Sequence, residues 1–528
     1  MKVKIWFISW LIIVVSALSV LGFWVYKIDP FFHYHQPDLN GYFYSLNNQR
    51  SQNDGISKHF DYDALITGTS MTENFRTSEA DEIFGCNSIK VPYSGGSYME
   101  VNDNIVNALD ANKDLRLVIR CLDMGKFLEP YDYMRTDLGK YPTYLYDSNP
   151  FNDVEYLLNR DVIFGRVYQM TLDNDQEGFK PGITTFDDYS RWQSSFAFGI
   201  NAVCPNGVTV TETEQNHLTE EEKVVIKRNV DLNVTRVAVE HPDVDFYYFY
   251  SPYSVLTWNE WRTGGMLYKM LEAETYITEL IVQYKNIHLF SFNNRTDITT
   301  NLNNYKDATH YACWINTLIL KWMHDGQYQL TEDNYQDYLE REWDFYTTFD
   351  YASVNGQVDY EADFYAAAML NVELTGADPL DVLNDDRVDV SINEAEYITD
   401  ETGRNVIVNC HGSLARDYHV DTLIDYIRDK EFIGIKFEVN LDDGYNYLCF
   451  NGQKIMNHGR LTAYVYDKDG NVVRQIEVNY PDLDNEVHQY VIDLSTLSGK
   501  VTVVLNGGYV DYTGSLNSNF QFSNVYMY

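Results

Sequence analysis

Three side chains in this sequence have the types and spacing for acyl transfer by a serine nucleophile: Ser70, Asp307 and His310. Ser70 lies in the stretch DYDALITGTSMTENF, Asp61 to Phe75. There the apolar run Ala64, Leu65 and Ile66 is broken by Thr67-Gly68-Thr69-Ser70 and followed by Met71-Thr72-Glu73-Asn74, the pattern of a buried strand turning into a helix. A hydroxyl at the C-terminal edge of a parallel sheet can attack a carbonyl. Gly68 lets the chain turn sharply, and a following helix offers free N–H groups and a partial positive charge to the oxyanion that forms. Serine is equally at home there as an N-cap, so Gly-x-Ser alone does not decide.

The second stretch is Asn304-Tyr305-Lys306-Asp307-Ala308-Thr309-His310-Tyr311, directly before an apolar helix expected from Ala312 to His324. Three positions apart, the Asp307 carboxylate can hold one nitrogen of His310 while the other faces Ser70. It is the only Asp-x-x-His in the chain.

The elements that must position these residues follow in order. After Ser70 come a strand at Asn87 to Val91, a break at Pro92-Tyr93-Ser94-Gly95-Gly96-Ser97, a helix from Tyr98 to Asn112, and a strand from Leu115 to Leu122 ending at Asp123. Alternating strands and helices predict a parallel sheet covered on both faces, with Ser70, Gly95, Gly96 and Asp123 at the strand ends where ligands gather. Residues 126–216 are irregular apart from a helix-like piece, Phe151 to Gln169, and are expected to be an insertion that roofs the site. Regular structure resumes with a helix from Thr219 to Glu240, a strand from Val244 to Tyr250 ending in Ser251-Pro252-Tyr253, a helix from Glu260 to Tyr284 and a strand from Ile287 to Phe292, which completes five strands.

Length and composition bound the rest. A chain of 528 residues exceeds one hydrophobic core, so two folded domains are expected, and 45% hydrophobic against 22% charged residues marks it as globular. A net charge of −39 argues against nucleic acid or anionic lipid as partner of the main body. Lys2 and Lys4 precede an uncharged apolar run from Ile5 to Tyr26, long enough to cross a bilayer, with the remainder of the chain outside. Ser16-Ala17 offers a signal-peptide cut, but the run continues through Phe23, Trp24 and Val25, which favours an uncleaved anchor. Asp29 to Tyr62 reads as an extended segment packing the anchor onto the first domain. Its His33 and His35 lack a third ligand, and the six cysteines form no Cys-x-x-Cys, so neither metal nor cofactor is expected.

Past Asp325 the pattern is helical, from Thr331 to Phe349 and Asp359 to Leu374, up to a boundary at Gly376-Ala377-Asp378-Pro379. Beyond it, short alternating runs predict an antiparallel sandwich. They are Phe432 to Leu441, Tyr445 to Phe450, a turn at Asn451-Gly452, Leu461 to Tyr466, Val472 to Val478, Val487 to Leu494, Lys500 to Leu505 and Phe520 to Tyr528. Its closing strand resembles those of carbohydrate-binding jelly rolls. A sandwich that only packs against the first domain fits the pattern equally well.

Gly-x-Ser after the first strand, glycine after the second and Asp-x-x-His after the last together resemble the SGNH/GDSL hydrolases, over roughly Asp29 to Asp350. The layout is most similar to the membrane-anchored branch that modifies cell-surface polymers, including teichoic-acid D-alanyl transfer and alginate O-acetylation proteins. The resemblance implies a flavodoxin-like three-layer α/β domain with Ser70 as nucleophile, His310 as base and then acid, Asp307 as its orienter, and an oxyanion hole from the N–H groups of Ser70 and of Gly95 or Gly96. Two departures stand out: the nucleophile block is Gly-Thr-Ser-Met instead of Gly-Asp-Ser-Leu, and the fourth strand ends in Ser251-Pro252-Tyr253-Ser254 without the family's Gly-x-Asn. Asn74, Asn102 and Asn104 are candidates for the missing donor.

The expected organisation is therefore a membrane anchor at 1–28, an SGNH hydrolase-like domain at 29–375 and a β-sandwich at 376–528. The expected function is an extracytoplasmic acyl esterase or O-acyltransferase acting on a cell-surface glycan, with a multi-pass acyltransferase as partner in the case of transfer. The alternative is a non-catalytic protein that binds glycan or an envelope partner on a degenerate SGNH fold.

Overall fold

The computed structural model describes residues 2–137, 139–174, 178–192, 196, 198–357, 380–414, 432–445, 447–454, 461–478, 487–494, 497–510 and 516–527. The expected helix from Asp359 to Leu374 and the boundary at 376–379 lie outside the described residues.

The chain is mixed α/β. Strands β1 (Ala64–Gly68), β2 (Ser88–Pro92), β3 (Leu117–Leu122), β4 (Asp245–Tyr250) and β5 (Ile287–Ser291) pair in parallel in the order 2-1-3-4-5. The sheet is not five-stranded as expected: β6 (Gln329–Leu330) adds an antiparallel edge to β5. Such a two-residue strand is too short to leave an alternating pattern in the sequence.

Side chains alternate between the two faces of the sheet. Leu65, Val91, Val118, Tyr248 and Leu289 face one core, and Ile66, Ile119, Cys121, Phe249 and Phe290 face another. Helices at Gln49–His59, Tyr98–Ala111 and Leu267–Ile281 contribute to the first core, and those at Thr77–Phe84 and Cys313–His324 to the second. The result is three layers. The helix at Gln49–His59 falls within the segment expected to be extended. Its polar Gln52, Asn53 and Asp54 are buried by hydrogen bonding rather than apolar periodicity, which hid it.

Three further helices differ from expectation. The 219–240 helix carries a π turn at Asp231–Thr235, and the 260–284 helix is two, Val255–Thr263 and Leu267–Ile281, broken at Gly264-Gly265. The piece at 151–169 is also interrupted: Val154–Leu157 ends, Asn159 caps a fresh start at Arg160, and the run continues to Asn174.

In the C-terminal region, two antiparallel sheets share one core. One has the strands Ser391–Asn393, Gly434–Asn440, Lys500–Asn506, Leu461–Tyr466 and Val472–Val478 in that order; the other is built on Ala395–Thr399, Asn405–Leu414, Leu516–Met527, Tyr447–Lys454 and Val487–Asp493. Asn451-Gly452 is not a turn but the middle of a strand. A Cβ on Gly452 would stand 2.8 Å from both the Phe520 and Tyr490 rings, so the glycine serves close packing. Lys321, on the helix after Asp-x-x-His, donates to Asn471 and ties the two regions together.

Candidate active site

β1 delivers Ser70 to the sheet edge in an unusual turn. Gly68 has φ 142°, and a Cβ there would lie 2.5 Å from Cys121 Sγ on β3, so only glycine fits. Ser70 then opens a single 3-10 turn, Ser70–Thr72, and the α-helix starts only at Thr77. The expected helix dipole at Ser70 is therefore replaced by one short turn. The cause is visible. The buried Lys90 ammonium donates to the carbonyls of Glu73 (2.6 Å) and Phe75 (2.8 Å), which a continuing helix would have used itself. Burial lowers the Lys90 pKa to about 7, partly opposed by Asp187.

Thr69, beside Ser70, donates its hydroxyl to the Asp123 carboxylate at the end of β3. Asp123 also accepts from Tyr253 O–H at 2.5 Å, and its carbonyl from Tyr98 O–H at 3.0 Å. The ends of β1, β3 and β4 are thus braced by one buried carboxylate.

The Asp-x-x-His loop is held as firmly. Tyr305 and Tyr311 form an antiparallel bridge that closes it. Tyr305 O–H donates to Pro252 O at 2.7 Å, and the carbonyl of Ala308 accepts from Ser254 Oγ (2.7 Å) and Thr257 Oγ1 (2.8 Å). The strand end that lacks Gly-x-Asn therefore clamps the loop bearing Asp307 and His310.

These elements bring the three side chains into one chain of hydrogen bonds. His310 Nε2 lies 2.7 Å from Ser70 Oγ, and His310 Nδ1 lies 2.8 and 2.9 Å from the Asp307 carboxylate oxygens. Asp307 also accepts from the backbone N–H groups of Thr309 and His310, both at 2.9 Å. Burial works to raise the Asp307 pKa, but the hydrogen bonds and charge of His310 outweigh it and hold the carboxyl well below the usual carboxylate range.

The glycine loop after β2 runs beside the Ser70 turn, because Gly68 and Pro92 are register partners and Tyr93 N–H donates to Gly68 O at 2.8 Å. Gly96 N–H is committed to Tyr93 O at 2.7 Å, whereas Gly95, at φ 62°, has the Arg135 guanidinium against its Cα. Asn102 and Asn104 are buried in the helix at Tyr98–Ala111, and Asn104 accepts from Ser57. Asn74 accepts the backbone N–H of Trp192 at 3.2 Å.

Several neighbours carried no signal in the sequence. Trp192, from the insertion, stands edge-on to the His310 ring at 5.7 Å, and Lys306 Nζ lies 4.0 Å from the Trp192 ring centre and 3.7 Å from that of Phe196. The insertion thus reaches the histidine side of the site. Glu73 accepts from Gln49 Nε2 at 2.6 Å; burial raises its pKa while Gln49, Lys90, His310 and Lys306 draw it down. Away from the site, His33 pairs with Asp153 at 3.4 Å and His35 bonds to the carbonyls of Gln36 and Tyr26.

No family model matches the chain, and no curated protein matches it. Among solved structures, it is similar to a two-domain esterase (CEX) active on acetylated mannans, with 10% identity and a TM-score of 0.20 over 88% of this chain and 90% of that one. It is also similar to a family two carbohydrate esterase from Cellvibrio japonicus, with 8% identity and a TM-score of 0.16 over 29% of this chain and 34% of that one, so the match spans about a third of that esterase. A third likeness is to TmCBM61, solved with beta-1,4-galactotriose, with 16% identity and a TM-score of 0.16 over 27% of this chain and 91% of that one.

Proposed function

We infer that the protein is a serine-dependent acyl-transfer enzyme of SGNH type, held outside the cytoplasmic membrane by the helix Lys2–Ile28 and acting on acyl groups of a surface polysaccharide. The observation that carries this reading is the continuous hydrogen-bonded line from Ser70 Oγ through His310 to Asp307. The parallel strand order 2-1-3-4-5, which is that of flavodoxin-like sheets, supports the fold assignment. The proposed organisation is an anchor at 1–28, an SGNH-type domain at 29–375 and a β-sandwich at 376–528.

The steps follow from the geometry. His310 Nε2 takes the Ser70 proton as Oγ bonds to the acyl carbon, and Asp307 stabilises the imidazolium. The developing oxyanion is met by the N–H groups of Ser70 and Gly95, since that of Gly96 is already used. His310 then protonates the departing oxygen, leaving an acyl-Ser70 ester. In the second half His310 deprotonates water or a sugar hydroxyl, which attacks that ester and restores Ser70. Water gives an esterase; a sugar hydroxyl gives an O-acyltransferase, which a multi-pass acyltransferase partner would supply with acyl groups.

Ser70 and His310 far beyond hydrogen-bond reach would have counted against the enzyme; they stand 2.7 Å apart, which supports it over the non-catalytic alternative. The reading is tested by incubating the full-length protein with O-acetylated glycans and an unacetylated acceptor. Release of acetate or its appearance on the acceptor, each abolished in Ser70→Ala, supports the enzyme. Retention of glycan without turnover would favour the binding protein.

A further inference from the structure

The N-terminal helix does not leave the body of the protein on a loose stalk. Asp29, at its end and 1% exposed, accepts from the backbone N–H groups of His33, Tyr34 and His35 and from Tyr156 O–H at 2.7 Å. Tyr44 O–H donates to Ile28 O at 2.7 Å. Val25, Ile28 and Phe31 share a small core with Tyr156, Val162 and Val167 of the insertion. The insertion is therefore bolted to the anchor, and its position fixes what faces the membrane.

Below that junction the insertion runs alongside the apolar helix. Leu157 and Leu158 lie 3.7 and 3.8 Å from where a Cβ on Gly22 would stand. Between the two lies a groove of about 450 Å³, lined by Val15, Leu18 and Phe23 on the helix and by Pro150, Val154 and Leu157 on the insertion. Trp24 meets Tyr168 edge-on, with Tyr26 nearby on the helix, an arrangement suited to the membrane–water interface. At 1.5 Å per residue, the groove reaches from that aromatic level to Val15, roughly 14 Å deeper, about half of a hydrocarbon core of roughly 30 Å.

Several of the insertion's outward side chains are large and apolar, beside exposed Glu155, Arg160 and Asp161. Phe151 is 89% and Phe164 55% exposed, and Tyr168 and Leu172 continue an exposed stripe from Phe164 at helical spacing. In a chain of net charge −39, residues 150–172 carry three acidic side chains, Asp153, Glu155 and Asp161, against Arg160 and Arg166. Asp153 is bonded to Tyr34, Glu155 faces Lys140 at 3.5 Å and Arg166 covers the Phe31 ring.

We propose that residues 150–172 are a second membrane element: their exposed apolar side chains lie in the outer leaflet beside the anchor, and the groove between them takes a lipid acyl chain. The inference rests on the anchored reading of the N-terminal helix. It makes the enzyme a monotopic collar around its own span, with the Ser70 edge of the sheet held at a set orientation to the bilayer.

The test uses full-length protein in phosphatidylcholine vesicles with NBD on single introduced cysteines: Phe151→Cys and Phe164→Cys on the outer surface, Val154→Cys in the groove, Ile12→Cys in the anchor, and Val239→Cys on a distant helix. Labelled wild-type protein serves as the blank for native thiols. Lipids doxyl-labelled along the acyl chain are expected to quench the probes at 12, 151, 154 and 164 at least twofold and to leave 239 unchanged. Quenching at 12 with none at 151, 154 and 164 would overturn the collar while leaving the anchor. No quenching at 12 would remove the anchored reading and the collar with it. Blue-shifted but unquenched probes at 151 and 164, dependent on protein density, would assign the face to a second copy of the chain and overturn the proposal.

Discussion

The hydroxyl of Thr69 donates to the buried carboxylate of Asp123, joining the turn that carries Ser70 to the end of the neighbouring strand. Asp123 touches neither Ser70 nor His310 by hydrogen bond. It braces Ser70 through the adjacent residue, next to the 2.7 Å contact of Ser70 with His310.

Removing that hydroxyl tests the bracing. Thr69→Val keeps the shape but leaves Asp123 one donor short, which costs about 1.5–3 kcal/mol for a hydrogen bond to a charged group. Thermal unfolding is expected to show that loss together with a roughly tenfold slower reaction of Ser70 with an acylating probe. Thr69→Ser should restore both.

Asp307→Asn leaves the loop in place but no longer enforces the tautomer that presents an unprotonated Nε2 to Ser70. A fall of about 10²–10⁴ in acylation rate is expected, measured against unchanged secondary structure by circular dichroism. Because the Asp307 pKa is depressed in the folded protein, its contribution to stability is present above the ordinary aspartate pKa and is lost only as pH falls through the folded value. Protonation of this carboxylate should accordingly cause no loss of stability near neutral pH, which a comparison of melting temperatures at pH 5 and pH 7 checks.

Gly68→Ala places a methyl group against Cys121 Sγ at a φ that alanine disfavours. A loss of about 2 kcal/mol or more in unfolding free energy is expected. Adding Cys121→Ala opens the space without relieving the backbone, so a denaturant titration of the double variant should recover only part of it.

A buried acidic pair gives the fold a pH dependence of its own. Glu274 and Glu342 are both fully buried and share Asn293 Nδ2, at 3.1 and 3.0 Å. Burial, and for Glu342 also the charge of Glu274, pushes both pKa values up, that of Glu274 to about 7. A raised carboxyl pKa stabilises the fold fully below the unfolded value and progressively less as pH rises through the folded one. The melting temperature should fall from pH 5 to pH 8, and Glu342→Gln should flatten that slope.

Much of this was legible in the residues themselves. The βαβ rhythm placed Ser70, Gly95 and Asp307-x-x-His310 at one sheet edge, although Ser70 and His310 are 240 positions apart. What the pattern missed has physical causes. Lys90 reads as one polar residue in a strand, yet by taking the Glu73 and Phe75 carbonyls it delays the helix expected at Ser70. Gly95 and Gly96 read alike, yet Gly96 gives its N–H to the turn bond with Tyr93 while Gly95 takes a positive φ against Arg135. Trp192 reaches His310 from an irregular insertion, and Lys306 reaches Trp192 from a loop, where no periodicity announces a contact.

The most direct measurement exposes full-length protein in detergent to a serine-reactive fluorophosphonate and locates the adduct by peptide mass spectrometry. The account predicts a single phosphonylated residue, Ser70, with labelling absent in Ser70→Ala and strongly slowed in His310→Ala. Folded wild-type protein that stays unlabelled, or an adduct on another serine that survives Ser70→Ala, would contradict it.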